Sequence, residues 1–349
     1  MDFNIHDSSG VWVGIVEEPT SAIWTRSYYE PGEFEIYTPA TRDLLDILTE
    51  DCFITREGDN TVMIVERLEV TTDEEAGDFV TITGRSAAAL LDRRIIFTQT
   101  TLSGRVDRAI YKIVAENAVN PTDSARKLPL SMAMPDVLAD KISAQHTGTN
   151  LLDAVEQICA AYGMGFRVVT DSKTIVAPRV ELFVGKDRSA GQAINSPVIF
   201  SPEFENLLQT SYAFDVSKYK NVAVVAGEGE GNARKRAIIG DASGLMRREL
   251  YVDARDMSTN AGEITAEDYA AQLEARGLEK LAETQTEEAF SGEVDTMNTF
   301  ILDVDYTVGD IVTVENEYGI RADSRIISVS ECWDESGYSV SNTFEGMGG

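Results

Sequence analysis

Residues Trp24 to Ala40 read W-T-R-S-Y-Y-E-P-G-E-F-E-I-Y-T-P-A, and no other stretch constrains the fold of this chain as tightly. An aromatic-rich segment runs into the turn signal Pro31-Gly32, after which Glu33-Phe34-Glu35-Ile36 alternates with period two. That alternation places Phe34 and Ile36 on one face of a strand and Glu33 and Glu35 on the other. The segment predicts a β-hairpin with one buried face and no reactive group on it. It implies a β-rich scaffold.

The rest of residues 1–97 extends this pattern. Val11-Trp12-Val13-Gly14-Ile15-Val16 reads as a strand and Glu17-Glu18-Pro19-Thr20 as a turn. Val62, Ile64, Leu68 and Val70 share a face along a strand that Glu66 interrupts. Phe79 to Thr83 closes the series, with a hairpin tip expected at Asp73–Asp78. Short strands at regular spacing suggest a small barrel or sandwich. The period changes after Thr98. Ser103 is placed to cap a helix bearing Val106, Ile110, Ile113 and Val114. Polar, proline-containing residues 118–148 read as loop. A second helix follows Asn150, with Leu151, Leu152, Val155, Ile158, Cys159 and Tyr162 on its apolar side and Gly163 as its stop. Strand character returns over 166–184, at Val198–Pro202 and at Asn221–Ala226. A helix is expected over Ala266–Ala282, capped by Thr265 and Asp268, with Gly277 marking a close contact. Asp310–Val314 and Ser324–Trp333 are β. The fold class is therefore α+β, mainly β.

Bulk properties bound the function. The 349 residues suffice for two to four modules, and 43% hydrophobic content is that of a globular protein. With 30 basic and 59 acidic residues, the net charge is 30 − 59 = −29. Such a chain has no general attraction for phosphate, which argues against a gripping nucleic-acid binder. Charge is uneven: residues 251–349 hold 22 acidic and 5 basic residues, a balance of −17. Lys218, Lys220, Arg234, Lys235, Arg236, Arg247, Arg248 and Arg255 cluster against only Glu228, Glu230, Asp241, Glu249 and Asp253. Three widely spaced cysteines, Cys52, Cys159 and Cys332, read as free thiols in a reducing cytoplasm. Neither a signal peptide nor a membrane-spanning apolar run is visible.

Candidate chemistry is thin. Gly227-Glu228-Gly229-Glu230-Gly231 has phosphate-loop spacing, but two glutamates would oppose the phosphates and no amphipathic helix follows. The two histidines, His6 and His146, lie in no zinc motif. Ser243 has no G-x-S-x-G around it. Glu203 with Glu205, and Asp303 with Asp305, are the nearest carboxylate pairs. Same-face strand neighbours could meet the roughly 6.5–9.5 Å of an inverting glycosidase, yet so acidic a chain produces such pairs by chance. Asp303 and Asp305 could join a Ca²⁺ site, but no EF-hand loop supports one. Trp12, Trp24 and Trp333 are placed for core or interface packing in preference to sugar stacking. No catalytic, cofactor-binding or metal-binding residue is assigned, and no cofactor.

The pattern W-x-x-x-Y-Y-x-x-G-x-F-E across Trp24–Glu35 resembles the N-terminal signature of siphophage tail hub proteins. These are the Gp37-like siphovirus tail proteins, akin to the N-terminal part of tail-associated lysins and to the baseplate hub of contractile-tailed phages. Further matching segments follow in order. They are Gly84-Arg85-Ser86 through Arg94, Asn150–Val155, Val198–Leu207, Tyr219–Val222, Arg248–Asp256, Tyr306–Val314 and Gly319-Ile320. The resemblance implies a homotrimeric ring at the tail tip, adapting the six-fold tail tube to a three-fold tip. It implies two tube-like β-barrel modules per subunit. The first would comprise 1–97 plus about 190–226, with an α/β module inserted at 98–189. The second would comprise 227–349 with a helix at about 266–282. Implied partners are a distal tail protein or tail tube ring, the tape-measure protein and tip, fibre or receptor-binding proteins. DNA would pass through without specific binding, and assembly would occur in the bacterial host cytoplasm without membrane insertion. The chain's end at Glu345–Gly349 fits a hub without an attached lysin, so no catalytic residue carries over. The alternatives are a cell-wall-degrading tail enzyme, whether carboxylate glycosidase or peptidase, and a host-surface carbohydrate-binding module.

Overall fold

The structure is a computed structural model that describes residues 1–73, 77–170, 175, 177–259, 262, 264–284, 287–294 and 299–347. Its architecture is α+β and mainly β, as the alternating patterns predict. Thirteen strands form one sheet. Its main path runs through 207–215, 287–294, 337–346, 321–334, 21–27, 33–39, 77–86, 63–73, 53–56, 3–6 and 12–16. Strand 311–315 branches from 321–325 and carries 199–200 in parallel. The path is open: no pairing among the described residues joins strand 12–16 to strand 207–215.

The sheet bends around two cores. One lobe gathers Phe3, Ile5, Trp24, Phe34, Ile36, Ile54, Val80 and Ile82. The other gathers Tyr28, Phe200, Tyr306, Val312, Ile326, Val340 and Phe344. The opening hairpin forms as its alternation requires. Trp24 pairs with Phe34, Phe34 and Ile36 are buried, and Glu33 and Glu35 are exposed. Gly32 is required at the turn, where a Cβ would stand 2.1 Å from the Thr25 carbonyl oxygen.

Glu66 does more than interrupt a strand. It is the extra residue of a β-bulge between Val65 and Arg67 opposite Gly84, where a Cβ would meet the Ile64 carbonyl oxygen at 1.9 Å. One inserted residue exchanges the faces of the strand. Val62 and Ile64 therefore pack into the helical part of the molecule, whereas Met63 and Val65 pack into the first lobe. Beyond the bulge Leu68 and Val70 pair with Ile82 and Val80. The shared face expected for Val62, Ile64, Leu68 and Val70 is thus split at Glu66. Residues 74–76 of the expected hairpin tip lie outside the described residues.

The helical part follows Ser86, whose hydroxyl accepts from Ala88 N to cap a 3₁₀ turn. Helix Val106–Val114 buries Val106, Ile110, Ile113 and Val114 as read, and continues into a π-helical turn at Ala115–Val119. Its cap position is Arg105, without a side-chain cap, because Ser103 lies within strand Thr100–Arg105. That strand pairs with Lys141–His146, a strand inside the stretch read as loop. Its polar residues Gln145 and His146 are buried, so composition hid its period. Helix Leu151–Tyr162 is capped by the Asn150 side chain and ended by Gly163 in the left-handed conformation, φ 64°.

Among the described residues no strand of 190–226 pairs with a strand of 1–97, although Tyr28 shares a core with Val198, Phe200 and Leu207. Ile199–Phe200 lie beside Thr313–Val314, and Leu207–Asp215 pairs with Glu287–Val294. The buried side chain of Asn206 holds the turn between them, accepting from Ser201 N at 2.9 Å and donating to the Ile199 carbonyl at 2.9 Å. Val222–Ala226 instead centres a separate three-stranded sheet, flanked by Arg236–Ile239 and Glu249–Asp253. Helix Ala266–Ala282 covers that sheet, burying Ala223, Val225, Tyr269 and Leu273. Gly277 marks the close contact, since a Cβ would stand 2.4 Å from Ile239 Cδ1. Among the described residues no helix is long and apolar enough to cross a membrane.

Replacing Gly309 by Ala would introduce a Cβ 2.4 Å from the Tyr28 ring at a backbone φ of +95°. Overpacking and left-handed backbone strain each cost roughly 1–3 kcal/mol. The expected result is a clearly lowered thermal unfolding midpoint, measured by circular dichroism, while Gly104→Ala, where φ is +90° but the space is open, loses less.

Candidate functional site

The conspicuous side chains of the signature meet at two buried junctions. The first is built around Tyr28, which is fully buried. Its hydroxyl donates to the Gly163 carbonyl at 2.9 Å and accepts from Gly185 N at 3.4 Å. The Arg325 guanidinium lies 5.0 Å from the ring centroid and donates to the Gly309 carbonyl at 2.8 Å. Gly165 and Gly309 both approach the ring so closely that a Cβ on either would stand 2.4 Å from it. Beside Gly309, buried Asp310 accepts from Lys186 N at 2.6 Å and from Arg188 Nε at 2.8 Å. The hairpin, the helical part and the second lobe are thus fastened at one point. Tyr28 and the Gly309-Asp310 step come from segments that resemble the same family, and the fold brings them into contact.

The second junction lies where strand Ser21–Ser27 pairs with strand Arg321–Asp334. Arg26 donates to Asp303 at 2.9 Å and lies 3.5 Å from Glu331 and 3.9 Å from Asp59. Arg56 pairs with Glu331 and reaches Asp59 at 3.5 Å. Trp24 Nε1 donates to Asp59 at 2.8 Å, and Tyr338 donates to Glu331 at 2.9 Å. The Arg56 guanidinium sits between the rings of Trp24 and Trp333, 5.6 and 5.3 Å from their centroids. Burial would raise the Asp59 carboxyl, but Arg26 and Arg56 outweigh it and hold Asp59 below its ordinary value. For Glu331 burial wins over the same two arginines, and its carboxyl is raised.

The individually weighed candidates fall elsewhere. Glu228 of the glycine run accepts from Lys235 at 2.8 Å and from Thr259 N at 3.0 Å, and so closes a hairpin turn. His6 is buried against Thr55 Oγ1 at 3.2 Å. His146 is buried, and desolvation together with Arg276 lowers it to about 4. Glu203 and Glu205 are exposed on a 3₁₀ turn and its left-handed exit, not along a strand. Asp303 and Asp305 sit in a turn, where Asp303 accepts from Thr307 Oγ1 at 2.9 Å and Asp305 from Ile301 N at 2.8 Å. Trp24 is fully buried, whereas Trp12 is 54% exposed. All three cysteines are free. Among the described residues no group of three or more His, Cys, Asp or Glu is placed to hold a metal ion. Arg56, Asp59 and Glu331 were not singled out from the sequence. Nothing local marks them, because their partners lie as many as 305 residues away.

The geometry therefore defines a β scaffold joined by buried contacts. Residues 2–344 match the model of the siphovirus ReqiPepy6 Gp37-like protein family, and the chain belongs to that family. Its fold is similar to that of three solved tail proteins. The tail protein from Neisseria meningitidis MC58 aligns with TM-score 0.57 and 13% identity, over 99% of this chain and 97% of that one. The 43 kDa tail protein of prophage MuSo2 from Shewanella oneidensis aligns with TM-score 0.56 and 14% identity, over 99% and 98%. Prophage tail protein gp18 from Listeria monocytogenes EGD-e aligns with TM-score 0.54 and 13% identity, over 100% and 96%. No curated protein matches the chain.

Two outcomes test the junctions. Arg56→Met leaves Asp59 and Glu331 buried with one arginine fewer, and breaking a buried pair costs about 3–5 kcal/mol. The expected readout is a large fall in the denaturation midpoint, against little change for Arg42→Met, whose partner Asp46 is exposed. Glu156, beside the Glu30 that follows the two tyrosines, is raised to about 7 by burial and by the charges of Glu30, Asp153 and Asp92. A carboxyl raised in the folded state contributes stability below its unfolded value, 4.5, and loses it as pH climbs through about 7. Glu156→Gln is therefore expected to flatten the decline in thermal midpoint between pH 5 and 8.

Proposed function

We propose that this chain is the structural hub of a phage or phage-like tail tip. Its two lobes act as tube-like modules, and three copies form a ring that adapts a six-fold tube to a three-fold tip. The observation that carries this reading is the continuity of one open sheet through both lobes, across the pairing of 21–27 with 328–333. A chain that bends a single sheet round two cores presents two similar wall segments, so three copies supply six. Each core is closed on the inside by buried aromatics and is rigid enough to hold the curvature of a wall.

In this reading the helical part at 87–183 and the helix-covered sheet at 222–282 stand outside the wall, where neighbouring copies adjoin, and the ring as a whole meets neighbouring tail proteins. These are a distal tail protein or tube ring, the tape-measure protein, and tip or fibre proteins. The net charge of −29 lets DNA pass without adhering, because an anionic wall releases no counterions from the duplex. The role is architectural and not catalytic. What supports this is the use of the buried ion pairs: Asp59, Glu331, Asp310, Arg26 and Arg56 are each engaged in joining segments.

Imaging of intact tails tests the reading. Three copies are expected as one ring at the tip, with the two lobes alternating around it. A single copy per tail, or absence from the particle, would defeat it. Hydrolysis of purified cell wall by the isolated chain, abolished by a carboxylate substitution, would establish the enzymatic alternative instead.

A further inference from the structure

Arginines in this chain are mostly neutralised by neighbouring carboxylates, as 59 acidic residues against 30 basic ones would lead one to expect. Arg94 and Arg126 break that pattern. Among the described residues neither lies within salt-bridge distance of a carboxylate, although Arg93 next to them holds Asp51 in a two-point contact at 2.6 and 2.7 Å. Backbone oxygens fix them instead. Arg94 Nε donates to the Arg126 carbonyl at 2.6 Å and its Nη1 to the Arg93 carbonyl at 2.7 Å. Arg126 Nη2 donates to the Ile95 carbonyl at 2.6 Å. The two guanidinium groups repel one another, and burial and Arg126 both lower Arg94. Together with Asp92, Arg93, Ile95 and Ala125 they line a surface cleft of about 350 Å³.

The rim is apolar and exposed. Phe97 is 65% exposed and Ile95 45% exposed, and the Arg126 guanidinium rests 4.9 Å from the Phe97 ring centroid. Asp92 in the same lining is engaged by Arg85 and Asn150, so two ordered cations with no carboxylate at salt-bridge distance among the described residues, beside an exposed aromatic, are a preorganised receptor for carboxylates carried next to an apolar side chain. The place is specific: the cations are already oriented, so little side-chain entropy is lost when an anion arrives.

We infer that this cleft receives an acidic segment of a second copy of the chain. The proposal rests on the ring reading and assigns one of its contacts. A second copy is the one partner whose chemistry is known from the sequence, and it carries −29. Copies of such a chain repel, so their assembly needs points where cations of one copy face carboxylates of the next. A cationic patch cannot face itself across a two-fold axis. In the ring reading the contact is heterologous, the kind that closes into a cyclic ring. Free phosphate groups of DNA are disfavoured at this cleft by the field of the whole chain.

Photo-crosslinking in assembled tails tests this. Phe97→p-benzoyl-phenylalanine chains, ¹⁵N-labelled, are mixed with unlabelled chains before assembly. Mixed-isotope crosslinks from position 97 to an Asp- or Glu-rich peptide of the same sequence are expected. Crosslinks only to another tail protein, only to DNA, or none, would overturn the inference. Independently, Arg94→Glu with Arg126→Glu is expected to lower incorporation into tails by at least about tenfold. Arg94→Lys with Arg126→Lys should retain most of it. Wild-type incorporation of a normally folded double Glu variant overturns the assignment. Tails that hold three copies but lack the crosslink reject this contact and leave the ring standing. Tails that hold a single copy reject the ring itself.

Discussion

Strand Ser21–Ser27 lies against strand Arg321–Asp334, and the rest of the architecture depends on this pairing. Thr25 and Ser330 share a hydrogen bond of 2.8 Å although 305 residues separate them. Remove the pairing and the sheet falls into two pieces, each with its own core but no fixed relation to the other. Beneath it Arg26 and Arg56 are held among Asp59, Asp303 and Glu331. Buried charges of this kind add little net stability compared with apolar packing, because desolvation offsets attraction. They do penalise any other register, since a slip would leave a buried arginine without its carboxylates. Their value here is the fixed angle between two lobes.

Tyr28 does the same work for the third body of the molecule. One ring touches backbone from the helical part at Gly165, from the second lobe at Gly309 and from the chain that connects them at Gly185. Gly165 and Gly309 are needed because the aromatic ring occupies the volume a Cβ would fill, and Gly185 because a Cβ there would meet the Gly309 carbonyl oxygen at 1.9 Å. Asp310 then ties down Lys186 and Arg188 where the chain leaves the helical part. Long-range polar ties through a few buried residues hold these bodies together where loops alone would not. The pairing is also non-local, which slows folding and favours formation of the local hairpins before the lobes join.

Local patterns were legible from the residues. The hairpin at Trp24–Ala40, the helix after Asn150 with Gly163 as its stop, the Thr265 cap and the tight contact at Gly277 all appear as their spacing predicts. Each depends on neighbours within a few positions, so the sequence carries its own evidence. Strand Lys141–His146 was missed because its buried Gln145 and His146 look like loop residues. The shared face of Val62, Ile64, Leu68 and Val70 failed for a different reason. A bulge is a property of two strands together, and Glu66 shows its role only once Gly84 is opposite. The strand partners of 199–200 and 207–215 were not legible either, since apolar strands do not name their partners.

The sequence by itself determined the β-rich character, the acidic surface, the hairpin signature and the order of segments that marks the family. These follow from side-chain type and from spacings of a few residues. Only the tertiary structure decided which strands pair across the chain, that the sheet stays open around two cores, and that Tyr28 meets Gly309 while Arg56 meets Glu331. It also decided that Arg94 and Arg126 stand side by side with no carboxylate at salt-bridge distance among the described residues. Burial and counter-charge are set by residues hundreds of positions apart, and no local period records them.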